Sequence, residues 1–267
     1  MKEYFDQNGD AILVNSLVAF VDILGYRDRI DAVLRNGGDG KSDLTILIGA
    51  VSEAMESVKL MPSLLGGYKF YSKTFTDNFV FVTPLVSRTD DAVNLVLFSI
   101  FISRFQWKLA QLGLFVRGGI SIGPVHISQD MVFGPALTDA YDTESKKAVH
   151  PRVVISDSTR RNLPRLPPNS RNLLWTGIDG RPFVNYLAGN EGDPPQLDSP
   201  EFLRKHRQMI DQKLKEVAQR VEVYDKFLWV DRFHEAYCAD RAKRMNKTYQ
   251  PIGSTRSEFQ PWVDTGR

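Results

Sequence analysis

Apolar positions along the chain change period in a regular way, and each change predicts an element. Residues 16–22 form a short apolar run stopped by the carboxylate of Asp22; Gly25 follows, then a segment to about 36 that can be helical. That reads as strand, tight turn, helix. Past the glycine-rich stretch 36–40, residues Leu44, Leu47, Ile48, Val51, Ala54, Met55 and Val58 recur at helical spacing until Pro62 ends the element. Aromatic and β-branched residues at 67–73 and 79–83, separated by the polar stretch 74–78, predict a β-hairpin. From 90 to 112 the helical pattern is apolar on several sides, so this helix needs a second packing partner.

Residues 115–126 read as a glycine-marked strand that bends, Gly134-Pro135 opens a helix over 136–148, and 152–156 is again a strand. Two short strands are expected at 172–176 and 182–187 around the turn Asp179-Gly180. The order through residue 156, β-α-α-β-β-α-β-α-β, is an α+β mixture. Stretch 189–195 reads as a linker, whereas 201–245 has helix formers and no Gly or Pro, which predicts one long helix or two in succession. Two prolines and scattered polar residues predict a loosely ordered tail from 248. The chain divides on this reading into a domain over 1–190 and a linker, C-terminal helices and tail over 191–267.

Composition narrows the function classes. With 267 residues the chain can bury roughly 70 to 75% of its unfolded surface. Its 34 basic and 32 acidic residues leave a formal charge of +2, too near neutral for the field of a non-specific nucleic-acid binder. Cys238 is the one cysteine, so no intrachain disulfide forms, and it reads as a packing residue. The amino end lacks the apolar core of a secretory signal, and the apolar stretch 95–102 falls far short of the roughly 20 residues that cross a bilayer. These features predict a cytoplasmic protein that binds neither nucleic acid nor membrane.

Asp22 closes a strand where the free N–H groups of an opening helix converge, a corner suited to phosphate together with a divalent cation. Asp77 sits at the expected hairpin tip, which a neighbouring first strand would bring against Asp22. Two ionised carboxylates a few ångströms apart repel by roughly 4 kcal/mol at an effective dielectric of about 20. A close pair therefore needs a cation or a shared proton, and hard Mg²⁺ or Mn²⁺ fits oxygen donors. The plainer reading stands beside it: Asp22 as a helix cap, Asp77-Asn78 as turn residues. His126 and His150 have no metal-ligand spacing, and no Ser-His-Asp or Cys-His arrangement supports a hydrolytic nucleophile.

Four blocks occur in order: Phe20-Val21-Asp22-Ile23-Leu24-Gly25-Tyr26, Lys73-Thr74-Phe75-Thr76-Asp77-Asn78-Phe79, Val116-Arg117-Gly118-Gly119-Ile120-Ser121-Ile122-Gly123-Pro124-Val125 and Phe133-Gly134-Pro135-Ala136-Leu137. Together they resemble the class III nucleotidyl cyclase catalytic domain over about 16–187. The blocks Ala140-Tyr141, Glu144-Ser145, His150-Pro151-Arg152-Val153-Val154-Ile155-Ser156, Asp179-Gly180-Arg181-Pro182-Phe183-Val184-Asn185-Tyr186-Leu187 and Lys226-Phe227-Leu228-Trp229-Val230 look like the bacterial pyrimidine nucleotide cyclases of anti-phage Pycsar systems.

The resemblance implies a ferredoxin-like α+β domain, a βααββαβ-type mixed sheet with flanking helices, plus a C-terminal helical extension. It places two divalent ions, Mn²⁺ or Mg²⁺, on Asp22 and Asp77 with the Ile23 carbonyl, and the phosphates on the backbone of Ile23, Leu24, Gly25 and Tyr26. Lys73 falls at the base-reading position and Met131 at its partner position. The family's transition-state Asn and Arg are replaced here by Thr138 and Asp142. Lys146 is the first candidate to supply the missing cation, with Lys147, Arg117 and Arg152 behind it. Tyr26, Tyr68 and Tyr71 could narrow the base pocket. The implied assembly is a homodimer with active sites at the subunit interface and a separate cyclic-nucleotide-activated effector. The implied reaction is UTP to cyclic UMP and diphosphate. CTP is the alternative substrate; Lys73 keeps ATP open, and Thr138 with Asp142 keeps a non-catalytic nucleotide-binding module open.

Overall fold

Side chains of β1 (Val14–Ile23) alternate between two cores: Leu17, Ala19, Val21 and Ile23 enter one, Val18 and Phe20 the other. A strand apolar on both faces belongs inside a sheet, and β1 lies there in this computed structural model, which describes residues 1–35, 40–59, 68–85, 91–162, 170, 172–188, 200–245, 248 and 259–261. It pairs antiparallel with β3 (Asn78–Pro84) on one side and β4 (Val116–Ile127) on the other.

Outward from β3 lies the edge strand β2 (Tyr71–Phe75). Outward from β4 come β6 (Val153–Ile155), β8 (Pro182–Val184), β7 (Leu174–Thr176) and β9 (Gln260–Pro261). The short β5 (Val132–Phe133) folds back on β4. The β4–β6 pair is parallel, and its crossover carries α4 (Pro135–Lys147). This α+β mixed sheet with flanking helices agrees with the expected class.

One face of the sheet is covered by α2 (Gly40–Lys59) and α3 (Asp91–Ala110), with α1 (Tyr26–Arg35) alongside. The all-round apolar pattern of α3 has a structural answer. Leu95, Phe98, Phe101, Ile102 and Phe105 meet the sheet core, while Trp107 turns to Phe202 of α6 (Pro200–Glu216), ring centroids 4.9 Å apart. The opposite face is covered by α4 and, toward β2, by an amino-terminal segment anchored through buried Tyr4. At the far end of the sheet α6 and α7 (Val221–Arg244) share a core with Trp175 and Phe183. Among the described residues no helix is long and apolar enough to cross a membrane.

Of the two alternatives for 201–245, two helices in succession are found, broken at 217–220. Other expectations need correction. The tail is not loose throughout: Phe259 is buried and Gln260–Pro261 pairs with β7, because one aromatic anchor suffices to hold an edge strand. The hairpin turn is two residues rather than five, since the strands run to Phe75 and from Asn78. The helix α5 (Asp157–Asn162) carries no apolar period and was not expected. The linker at 189–195, and with it the boundary at 190/191, lies outside the described residues.

Candidate active site

Strand register brings the acids together. Asp22 stands opposite Asn78 on β3 and Arg117 on β4. The Ile23 N–H donates to the Asp77 carbonyl (3.2 Å), folding the hairpin tip back against the end of β1. The Asp22 and Asp77 carboxyls lie within hydrogen-bond reach of each other. Burial pushes the Asp22 carboxyl up to about 7, the Asp77 carboxyl adds to the shift, and Arg117 opposes it. Thr76, beside Asp77, holds φ 55°, a left-handed conformation that β-branched residues avoid. Its hydroxyl donates to the Phe75 carbonyl (2.7 Å) and accepts from Asn78 Nδ2 (3.2 Å), which also donates to Asp77 Oδ1 (3.3 Å). The tip is held rigidly around Asp77.

Arg117 approaches from the other side, its Nε donating to Asp22 Oδ2 at 3.2 Å. The same nitrogen lies 2.8 Å from Glu144 Oε1 on α4. Glu144 gets there because α4 lies almost on the sheet: a Cβ at Gly119 would sit 2.2 Å from the Ala140 carbonyl oxygen and 2.7 Å from Thr143 Cβ. Only glycine permits that approach. Burial raises the Glu144 carboxyl, Arg117 counteracts, and Asp77 contributes in the raising direction.

Alternation along paired strands puts Lys73, Phe75, Phe20 and Arg117 on the same face as Asp22. Lys73 Nζ donates to the Gln129 carbonyl, in the turn where the Ser128 N–H meets the Met131 carbonyl (2.9 Å). Met131 itself is exposed. Lys73 and the turn that carries Met131 thus meet at one edge. Phe20 contacts Tyr141 (centroids 5.3 Å) and Phe75 (6.4 Å), and the latter two are half exposed. Tyr26 and Tyr68 pack against the core on the opposite face, and the Tyr71 hydroxyl donates to Glu3 Oε2 (2.9 Å). Tyr26 and Tyr68 thus lie away from the acid pair, whereas Tyr71 shares its face with Phe20, Phe75 and Tyr141 but stands at the far end of β2.

After Asp22 the chain turns through Gly25 (φ 73°) into α1. The Leu24 N–H is spent on the Phe115 carbonyl (2.8 Å), as that of Ile23 is on Asp77, so neither is free for a phosphate. Helical bonding starts with the Arg29 N–H on the Gly25 carbonyl (3.3 Å), so the N–H groups ahead of it, from Gly25 to Asp28, are the orphan donors of a helix start.

Of the four candidate cations, the structure brings Arg117 to the acids. Lys146 is 67% exposed and pairs with Asp142 at 3.0 Å, about 200° around the helix from Glu144. Lys147 pairs with Asp157 at 2.7 Å, and buried Arg152 grips Asp179 between the rings of Phe183 and Trp229. His126 Nδ1 donates to the Ile12 carbonyl (3.1 Å), His150 stacks on Trp229, and Cys238 is buried beside His234.

Among the described residues no group of three or more His, Cys, Asp or Glu side chains is poised around an ion. Asp22 and Asp77 nonetheless fit a hard cation that keeps much of its coordination for water and phosphate, as Mg²⁺ does. The half-buried Asp22 carboxyl, raised beside a second acid, is in the conflict that a cation relieves.

No family model matches the chain, nor does any curated protein. Among solved structures it is similar to the adenylyl cyclase CyaB from P. aeruginosa, with 16% identity and a TM-score of 0.42 over 56% of this chain and 80% of that one. It is also similar to a class III adenylyl cyclase-like ATP-binding protein from Pseudomonas aeruginosa, with 11% identity and a TM-score of 0.42 over 78% of this chain. Of that second protein it spans 44%.

Proposed function

We propose that this chain is a cytoplasmic class III-type nucleotidyl cyclase that converts UTP to cyclic UMP and diphosphate, as the messenger-producing half of a Pycsar anti-phage system with a separate effector. The observation that carries the reading is the contact between Asp22 and Asp77 beside the free N–H groups that open α1. Asp22, Asp77 and the Ile23 carbonyl would hold two Mg²⁺ or Mn²⁺ ions, which would lower the pKa of the ribose 3′-hydroxyl and neutralise the leaving diphosphate. The helix start from Gly25 to Asp28 orients the phosphates, and Arg117 adds positive charge beside them.

Pyrimidine choice rests on the edge that holds Lys73 and Met131. Lys73 donates to a single carbonyl, which uracil and cytosine both offer, while Met131 gives no second side-chain hydrogen bond to a purine edge. CTP is therefore the alternative substrate. Two chains form the working unit, and Lys146, on the exposed side of α4, serves the second subunit's site.

A second reading has its own support: Lys146 is tied to Asp142 at 3.0 Å, as expected of a nucleotide-binding module without turnover. Incubation of the protein with each of the four ribonucleoside triphosphates and Mn²⁺, with products identified by mass, separates the readings. Cyclic UMP is expected. Cyclic CMP alone moves the assignment to cytidylate, cyclic AMP alone rejects the pyrimidine reading, and binding without product leaves the module.

A further inference from the structure

Glu144 belongs to none of the roles above, yet its side chain is 4% exposed and stands at Arg117, the cation paired with Asp22. Its Oε1 lies 2.8 Å from Arg117 Nε, but the N–H points to Asp22 Oδ2, and Glu144 Oε1 is left without a hydrogen bond. Its other oxygen lies 3.1 Å from the Ser145 hydroxyl, whose single proton is shared with the Tyr141 carbonyl at 2.7 Å. A buried carboxylate oxygen without a donor is unfavourable, because it has given up water and gained no partner. It persists here within reach of a guanidinium that is 28% exposed and carries five N–H donors.

We propose that Glu144 is a positioning residue, the second seat of Arg117. With Asp22 free, Arg117 gives its Nε–H to Asp22. When Asp22 is drawn to a divalent cation, the guanidinium turns onto Glu144 Oε1, which prevents two cations from competing for one carboxylate and keeps Arg117 beside the phosphates. This rests on the cyclase reading for its purpose, but the exchange itself depends only on cation binding at Asp22. Gly119 makes it possible, since any larger residue would hold α4 away from β4.

The test is a double-mutant cycle of Glu144→Gln and Arg117→Met, read as Mn²⁺ affinity by the EPR signal of free Mn²⁺, with thermal midpoints alongside. Glu144→Gln is expected to weaken Mn²⁺ binding about tenfold in the wild-type background and less than twofold when Arg117 is Met. An equal loss in both backgrounds overturns the proposal, as does a Mn²⁺ titration of the wild type with no binding. A midpoint shift without any change of affinity assigns Glu144 to packing alone and also overturns it. Failure of the cyclase reading shows up separately, as the absence of cyclic product while the Mn²⁺ cycle keeps its coupling.

Discussion

Arg117 Nε sits 3.2 Å from Asp22 Oδ2 although the two residues are 95 positions apart, because the β1–β4 register sets them directly opposite. The guanidinium offsets only part of the cost of burying Asp22 beside Asp77, so the Asp22 carboxyl still rises to about 7. A raised acid holds its proton in the folded state and loses it when unfolded, so stability on this account falls as pH rises from about 4 to about 7. Asp22→Asn removes that dependence. The variant is expected to gain on the wild type steadily across this range in chemical denaturation, and a constant difference would count against the buried pair.

The opposite slope comes from the C-terminal helices. Tyr186 OH, His206, His234 and Cys238 form a buried chain, with His206 Nδ1 2.9 Å from His234 Nδ1 and Tyr186 OH 2.8 Å from His206 Nε2. Burial holds His206 well below the usual imidazole range and His234 down to about 4; Arg207 lowers both, while Asp211 opposes the shift at His234. Groups neutral when folded and charged when unfolded take stability away as pH falls from about 6.5 toward 4. The double variant His206→Phe, His234→Leu should lose this acid sensitivity. Calorimetry at pH 7, 6 and 5 checks the slope, which is independent of any uniform loss from repacking.

Gly119→Ala should be costly. Its Cβ meets backbone, the Ala140 carbonyl at 2.2 Å, so α4 must lift from the sheet. A loss of about 3 kcal/mol is expected in urea unfolding, whereas Gly123→Ala, whose nearest neighbour would be Ala136 Cβ at 3.5 Å, should stay within about 1 kcal/mol.

Thr76→Asn tests the strain at the hairpin tip. Asn tolerates the left-handed backbone that Thr76 holds at φ 55° and keeps a polar side chain for Asn78. A gain of about 0.5–1 kcal/mol is expected. A loss would mean that the two hydroxyl hydrogen bonds outweigh the strain.

What was legible in the chain was what local chemistry decides. Asp22 ends an apolar run and Asp77 lies between two strand-like stretches, so their meeting could be read from a stop signal and a hairpin. Arg117 and Glu144 could not be paired that way, because Glu144 reaches the sheet only through the close approach of α4 at Gly119, a tertiary fact. The signal present was the i, i+3 spacing of Tyr141 and Glu144 on a helix, which puts an aromatic and an acid on one face. Aromatic character does not say which face of a sheet a side chain takes: Tyr26 and Tyr68 pack on the face away from Asp22, whereas strand phase puts Tyr71 and Phe75 on its own. Phe259 lies in a tail whose few apolar residues, among them Ile252, Trp262 and Val263, follow no regular period.

The most direct measurement is product formation from UTP with Mn²⁺ by the wild type, Asp22→Asn and Asp77→Asn, followed by mass spectrometry after their folds are matched by circular dichroism. Cyclic UMP from the wild type, and a fall of at least 100-fold in each variant, is the expected result. Turnover retained by either folded variant would contradict the account.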